Sequence, residues 1–240
     1  MKRAIQEESL IQMDVSKEDI CQLAYEGKCD RVKELVLKNN KYPTKQDESA
    51  RLPIHWAVSG GHSDIVELLL EHGSPVDPVD DSGWTPLLIG ASAGRAAIVR
   101  LLIARGANVN HVTQTGQSAI MYAASKNHKE ILDALLRSHA DLNSADKYGS
   151  TALHRAASRG NVDCVNLLLQ YSNQLDVNAA DRTGNTPLHL ACEDQQAEVA
   201  RLLVQSGSRV DLQNKAERTP LQMAPPGLAR DLQQLAPPAV

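Results

Sequence analysis

Six similar segments recur along the chain at an almost constant distance, and this period constrains the fold more than any other feature. The separations between their second residues are 33, 33, 33, 35 and 33 residues. Such a period is typical of repeat architectures, in which each unit buries its apolar face against its neighbours, so we expect stacked repeats. The segments begin at Leu52, Thr85, Ser118, Thr151, Thr186 and Thr219, and their second residues are Pro53, Pro86, Ala119, Ala152, Pro187 and Pro220.

The opening of these segments is typical of one repeat family. Its fullest form is TPLHLA, which begins at Thr186. A 33-residue period with the pattern T-P-L-H-x-A resembles the ankyrin-repeat family. An earlier stretch, residues 20–39, matches the same frame without the T-P-L-H opening, and we interpret it as an N-terminal capping repeat. The resemblance implies an all-α solenoid of seven helix–turn–helix repeats joined by β-turn loops.

The period also predicts the domain boundaries. We expect a flexible N-terminal extension over residues 1–16, an ankyrin-repeat domain over 17–236 and a tail over 237–240. Ser16 and Asp19 resemble a capping box at the start of the first helix. The two extra residues of the fifth repeat follow Leu169, where an insertion between helix and turn costs least. The predicted repeats are 17–47, 48–80, 81–113, 114–146, 147–181, 182–214 and 215–236.

Local chemistry predicts how each repeat is built. Thr-Pro opens the first helix, with Thr as N-cap and Pro in the first turn, where no amide hydrogen is needed. The helix is predicted to end at residues that accept a left-handed conformation, and Gln195 fits that position worst, so we expect a looser helix end there. The predicted helix-end residues are Gly61, Gly94, Asn127 and Gly160. A separate prediction concerns the His position of the pattern, where the imidazoles of His55, His154 and His189 are expected to form hydrogen bonds with neighbouring turns.

Composition and motifs exclude several classes of function. The net charge is −4 and aromatic residues are 3% of the chain, which does not favour nucleic-acid binding. No apolar run is long enough to cross a membrane, and the four cysteines lack disulfide or zinc spacing, so a reduced, soluble, intracellular protein is expected. Phosphate-loop, dinucleotide, hydrolase and kinase motifs are absent. We therefore expect no enzyme activity, no cofactor and no metal.

The repeat frame indicates which residues form a binding surface. Residues that follow the His position, or lie a turn later in the first helix, vary in chemistry while the framework residues keep their type. The turns between repeats add further charged and aromatic side chains. Two alternatives are open: Trp56 and Trp84 could instead pack against the next repeat, and the charged side chains could simply be solvated. The predicted partner-binding residues are Arg51, Trp56, Asp80, Asp81, Trp84, Ser92, Tyr122, Ser125, Lys126, Arg155 and Arg159.

Several longer segments resemble one group within this family, the gankyrin-like proteins. They are DDSGWTPLLIGASAGR, AASKNHKEI, LHRAASRGN, DRTGNTPLHLACED and NKAERTPLQMA, within residues 80–224. Gankyrin-like proteins are assembly chaperones that clasp the C-terminal domain of a proteasomal base ATPase in their concave face. The resemblance implies that Arg51 and Lys126 face acidic residues of the ATPase, and that Asp80 and Asp81 meet basic ones. It also implies a monomer in the cytoplasm and nucleus.

The same resemblance implies further protein partners. Gankyrin-like proteins contact a cyclin-dependent kinase and a ubiquitin ligase of p53, and bind the retinoblastoma protein through L-x-C-x-E. Here the corresponding residues are Leu190, Cys192 and Asp194, and the final Asp in place of Glu weighs against retinoblastoma binding. Two alternatives remain. The first is an ankyrin-repeat regulator of a cyclin-dependent kinase or the retinoblastoma pathway, although kinase-inhibiting ankyrin proteins usually have fewer repeats than this chain. The second is a generic scaffold. A fused enzyme would have to lie in the short termini.

Overall fold

The structure, a computed structural model, describes residues 19–236, and these contain fourteen α-helices in seven consecutive pairs. One 3-10 turn, Tyr42–Thr44, follows the first pair, and the described residues include one isolated β-bridge, between Val112 and Ser118. The predicted all-α architecture is thus confirmed. The pairs are α1 Ile20–Glu26 and α2 Cys29–Lys38, α3 Pro53–Gly60 and α4 Ser63–Glu71, α5 Pro86–Ala93 and α6 Ala96–Ala104, α7 Ala119–Ser125 and α8 Lys129–Arg137, α9 Ala152–Arg159 and α10 Val162–Leu169, α11 Pro187–Glu193 and α12 Ala197–Gln205, and α13 Pro220–Met223 and α14 Pro226–Leu235.

The described residues divide between Ala107 and Asn108 into two compact units. In the first unit, α1, α3 and α5 pack in one layer and α2, α4 and α6 in a second. In the second unit, α7, α9, α11 and α13 form one layer and α8, α10, α12 and α14 the other. We call these the inner and outer helices of each unit. The layers arise because each pair turns the apolar faces of both helices toward its neighbours.

The inner helices begin as the Thr-Pro pattern predicts. Thr85 and Thr186 are N-caps whose hydroxyls accept the amides of Leu88 and His189, and a Pro follows each of them. Thr151 caps α9 in the same way although Ala152 replaces Pro. The hydroxyl supplies an acceptor for an amide that the first helical turn leaves without one.

The predicted helix ends are also found, with one correction. Gly61, Gly94 and Gly160 have φ values of 91°, 73° and 68°, and Asn127 has 57°. Gln195 was expected to give a looser end, which is wrong: its φ is 56°, and the following amide, Gln196 N, bonds Ala191 O at 2.8 Å. Packing of the next outer helix fixes this turn despite the unfavourable residue.

The first helix starts later than the sequence suggested. Asp19 is itself the N-cap of α1, and its carboxylate accepts the amide of Cys21 at 3.1 Å. Asp19, the acidic residue of the expected capping box, is thus itself the cap of this helix. Ser16, the predicted extension 1–16 and the tail 237–240 lie outside the described residues.

The three imidazoles at the His position of the repeat pattern join neighbouring repeats, as predicted from their place in the pattern. In each, Nδ1 accepts the N-cap amide of its own helix and Nε2 donates to a carbonyl of the following turn. The Nε2 acceptors are Trp84 O and Pro78 O for His55, Asn185 O for His154 and Arg218 O for His189. Leu88 and Met121, which replace His elsewhere, are buried in apolar contacts.

Candidate protein-interaction surface

The turns between repeats share one hydrogen-bonded geometry, and we call these five-residue turns the turn tips. In each, the amide of the first residue donates to the carbonyl of the fifth, at 2.9–3.1 Å. A side-chain oxygen of the first residue accepts the amide of the fifth, as Asp80 Oδ1 does from Trp84. This local bonding holds every tip in the same shape. The tips are residues 47–51, 80–84, 113–117, 146–150, 181–185 and 214–218.

In the first unit, Arg51 and Trp56 are held by acidic residues of two tips. Trp56 Nε1 donates to Asp47 Oδ2 at 2.8 Å, and Arg51 Nε donates to Asp80 Oδ2 at 2.9 Å. The Arg51 guanidinium lies 5.2 Å from the centroid of the Trp56 ring, and Tyr25 packs edge-on against that ring at 6.0 Å. These side chains form one preorganised aromatic and cationic cluster with partly exposed edges.

Asp80 was predicted to be an exposed acidic tip, and the structure corrects this. Its side chain is only 3% exposed, because its two oxygens hold the tip amides and Arg51. Burial raises the pKa of Asp80, but the bonds from Trp84 and Arg51 outweigh that effect and hold the pKa below its usual value. A buried, fully engaged carboxylate is poorly placed to bind a partner directly.

The other predicted residues of the first unit differ in accessibility. Asp81 is exposed, and its amide donates to Ser49 O at 3.1 Å, which joins the two tips. Trp84 and Ser92 are half-buried. The Trp84 carbonyl accepts from His55, so this residue serves the framework as well as the surface. Exposed acidity in these tips therefore comes from Asp81 and Glu48.

The second unit brings three predicted residues around one small hollow. Tyr122, Ser125 and Arg155 line it, together with Gln117 and Met121. The Tyr122 hydroxyl donates to Gln117 Oε1, and burial raises the pKa of Tyr122. The hollow is thus a small recess on the face of α7 and α9.

Arg155 repeats the arrangement of Trp56 with a different side chain. It binds Asp146 Oδ2, whose side chain is fully buried, nine residues earlier in the chain. Lys126 and Arg159, at the ends of α7 and α9, are exposed. They are the predicted cations best placed to meet an acidic partner, while Arg51 and Arg155 also stabilise their own tips.

Sequence reasoning missed a second set of contacts that joins inner helices. The residue before α4, α6, α10 or α12 reaches back to a carbonyl at the end of the inner helix of the preceding repeat. His62 Nε2 bonds Tyr25 O at 2.9 Å, Arg95 bonds Ser59 O at 3.0 Å, and Asn161 bonds Ala124 O at 2.7 Å. These residues differ in type, so the sequence pattern did not reveal that they share this hydrogen-bonding role. Their common place in the 33-residue period was the only signal that could have indicated it.

The segment related to L-x-C-x-E is part of a helix. Leu190 is half-buried, Asp194 is exposed and Cys192 is completely buried within α11. Burial raises the pKa of Cys192 to about 12. Because a docking motif must expose its Cys, this geometry supports the expectation that the segment does not bind the retinoblastoma protein.

Residues 19–236 contain neither a cluster of metal-ligating side chains nor a membrane-spanning helix. Within this part of the chain, no three His, Cys, Asp or Glu side chains converge as a metal site would require. No helix described there has the length and apolar character needed to span a bilayer.

Comparisons with known proteins agree with this architecture. Residues 20–113 and 101–181 match the family described as ankyrin repeats (3 copies), and residues 168–224 match ankyrin repeats (many copies). Among solved structures, the human ASB11 ankyrin repeat domain has a TM-score of 0.82 and 26% identity, covering 93% of this chain and 100% of that one. The ankyrin repeat domain of Bcl-3 has a TM-score of 0.79 and 24% identity, covering 91% and 98%.

A shorter stretch is similar to a proteasomal protein. Over 52 residues the chain is 48%, 47% and 46% identical to the 26S proteasome non-ATPase regulatory subunit 10 of Mus musculus, Rattus norvegicus and Homo sapiens. The stretch spans 22% of this chain and 22–23% of those relatives. Ankyrin repeats are typically non-enzymatic protein-interaction domains. With family matches running from residue 20 to residue 224, the chain belongs to the ankyrin-repeat family.

Proposed function

We propose that the chain is a non-enzymatic chaperone for assembly of the 26S proteasome regulatory particle. It would bind the C-terminal domain of a base ATPase subunit and release it once the ring is assembled. The observation that carries this proposal is the 52-residue stretch that is 46–48% identical to the 26S proteasome non-ATPase regulatory subunit 10. The activity requires binding alone, without cofactor or metal.

The surfaces described above suit such a partner. The tips of the first unit expose Glu48 and Asp81, while the inner helices of the second unit end in the exposed cations Lys126 and Arg159. Each unit by itself would attract partner residues of opposite charge, since complementary charge contributes most to specificity and association rate. The half-exposed Trp56 and Tyr122 would supply aromatic contacts, which are common in interface cores.

The proposal includes the setting of the protein. We infer a monomer in the cytoplasm and nucleus, with a cyclin-dependent kinase and a ubiquitin ligase of p53 as further partners. The retinoblastoma protein is left out because Cys192 is buried.

Affinity capture from a cell lysate tests the proposal. The full chain should recover a proteasomal ATPase subunit and free base intermediates, with little mature core particle. Recovery of a kinase without any ATPase would favour the regulator of a cyclin-dependent kinase. Recovery of neither class would leave the generic scaffold as the better interpretation.

A binding assay then tests the surface. Lys126→Glu should weaken binding of the purified ATPase C-terminal domain about tenfold, because it places two like charges opposite each other at the interface. Arg137→Glu, in the outer helix of the same repeat, makes the same change of charge and should leave binding within about twofold of wild type. Equal effects of the two substitutions would show that the partner does not contact the inner helices.

A further inference from the structure

Three consecutive turn tips of the second unit place a cation at their second position. These residues are Lys147, Arg182 and Lys215, and all three are exposed. The same position in the first unit holds the acidic residues Glu48 and Asp81. The change of sign is not required by the repeat, because the second residue joins the preceding tip through its backbone amide, which acidic and basic residues supply equally.

Backbone hydrogen bonds fix these cations in register. The amide of each cationic residue donates to the third residue of the preceding tip: Lys147 to Thr115 at 3.0 Å, Arg182 to Tyr148 at 2.8 Å and Lys215 to Thr183 at 2.9 Å. Successive tips are one packed repeat apart, about 10 Å. The three side chains therefore start from a row that is about 20 Å long.

The acidic residues of the same tips neutralise this row only in part. Asp146 is buried and bound by Arg155, and Asp181 Oδ1 accepts the amides of Thr183 and Asn185. Within residues 19–236, the structure shows no ion pair that joins Lys147, Arg182 or Lys215 to a carboxylate. Glu217 is exposed in the third tip, where Arg218 offsets it.

An exposed aromatic residue lies within the row. Tyr148 is 58% exposed, and the Lys147 ammonium lies 5.0 Å from its ring centroid. The Tyr148 carbonyl also accepts the Arg182 amide, so its backbone is fixed. Rigid Tyr side chains beside Arg are frequent anchors of protein interfaces. We call Lys147, Tyr148, Arg182 and Lys215 the basic ridge.

We propose that the basic ridge binds an acidic α-helix of a partner protein, with carboxylates at seven-residue intervals along one face. Seven residues of a helix rise about 10.5 Å in nearly two full turns, so such carboxylates share one face at the spacing of the tips. An extended strand reaches about 10 Å in three residues, but side chains three residues apart point to opposite faces. A helix can therefore present a carboxylate to each cation at once, while an extended acidic segment cannot.

The basic ridge lies entirely within the second unit and excludes every residue predicted for partner binding. The inference therefore goes beyond the proposed function and does not depend on it. A synthetic helix can test the ridge without any proteasomal protein, so failure of one proposal leaves the other open to its own test.

The test uses fluorescence anisotropy with a labelled helical peptide that carries three glutamates seven residues apart. The full chain should bind it at low salt, and binding should weaken as salt rises. The triple variant Lys147→Gln, Arg182→Gln and Lys215→Gln should raise the Kd about tenfold, as expected for the loss of three exposed ion pairs. Tyr148→Ala should raise the Kd as well, without any change of charge.

Matched controls separate helix recognition from general charge attraction. The variant Lys129→Gln, Arg137→Gln and Arg230→Gln removes three exposed cations from helices of the same unit and should change the Kd less than twofold. A peptide of identical composition with its glutamates five residues apart should bind several-fold more weakly. Equal binding of the two peptides would overturn the proposal, and so would tighter, ridge-dependent binding of single-stranded DNA. Circular dichroism melts of all variants check that each remains folded.

Discussion

Arg51 Nε lies 2.9 Å from Asp80 Oδ2, and this ion pair joins two successive turn tips of the first unit. A residue predicted purely for partner binding is therefore part of the repeat framework. The Asp80 side chain is 3% exposed, whereas that of Arg51 is 30% exposed. Loss of the guanidinium would leave a buried carboxylate with its remaining bonds only to amides.

Arg51→Glu should therefore destabilise the fold as well as alter the surface. We expect the free energy of unfolding to fall by about 2–3 kcal/mol, because a buried charge loses its partner and gains a like charge. Lys126→Glu, at an exposed position, should cost less than about 0.5 kcal/mol. Urea titrations followed by circular dichroism measure both. Equal midpoints would show that the Arg51–Asp80 pair contributes nothing to stability.

A second prediction compares two glycines that both have positive φ. Gly149 has φ 78°, and a Cβ there would lie 2.9 Å from the backbone nitrogen of Arg182. Gly207 has φ 92° and open space around it. Gly207→Ala should cost about 1 kcal/mol from backbone strain, and Gly149→Ala about 2–3 kcal/mol because neighbouring backbone must also move. The ranking of the two denaturation midpoints is the measurement, and a reversed order would contradict the tip geometry.

The local parts of the fold were predictable because single residues determine them. Thr85 caps a helix and Gly94 ends it through bonds made within a few residues, so the 33-residue pattern reveals both. Gln195 was misjudged because packing between repeats overrides a local preference. Predictions of helix ends from single residues are limited for the same physical reason, because a local sequence pattern does not include the energy of packing between repeats.

The binding surface was less predictable, since it depends on contacts between tips. The period singled out Trp56 and Arg155 as positions that vary between repeats, and the turns between repeats added Arg51. It could not show that each of them binds an Asp of a turn tip, because those Asp residues lie 9 or 29 positions away and their separation in space is set by the turns. Lys126 and Arg159 are exposed, and their role in partner binding stays a prediction.

The buried imidazoles predict how stability depends on pH. Burial lowers the pKa of His55, His154 and His189 below the ordinary value, despite the carbonyls that they contact. Between the folded and unfolded pKa values the unfolded chain binds more protons, so stability is complete above about pH 6.5 and is lost as the pH falls below it. Each fully shifted His contributes up to about 1.4 kcal/mol per pH unit in that window.

One substitution isolates this effect. Gln222 occupies the His position of the last repeat, and its Oε1 accepts the Thr219 amide at 2.9 Å. His154→Gln can therefore keep the bond to the Thr151 amide without a titrating group. The loss of unfolding free energy between pH 7.5 and pH 5.5 should be smaller in this variant than in the wild type. An unchanged loss would mean that His154 does not contribute to the pH dependence.

The four thiols should differ sharply in reactivity. Burial raises the pKa of Cys21 and Cys192 to about 12 and that of Cys164 to about 11, so few thiolates form at pH 8. The pKa of Cys29 is also raised, by burial and by Asp64, but its side chain is partly exposed. Native protein treated with an aromatic disulfide reagent should therefore release about one equivalent of thiol slowly, from Cys29, and four in denaturant.

Variants assign the native reaction. Cys29→Ser should abolish it, whereas Cys192→Ser should leave its rate and amplitude unchanged, because Cys192 reacts only after α11 opens. The measurement also bears on the L-x-C-x-D segment. Rapid modification of Cys192 in the folded protein would show that α11 opens readily, and residues 190–194 would then be accessible to a partner. Slow modification, limited by unfolding, would exclude docking through this Cys in the native state.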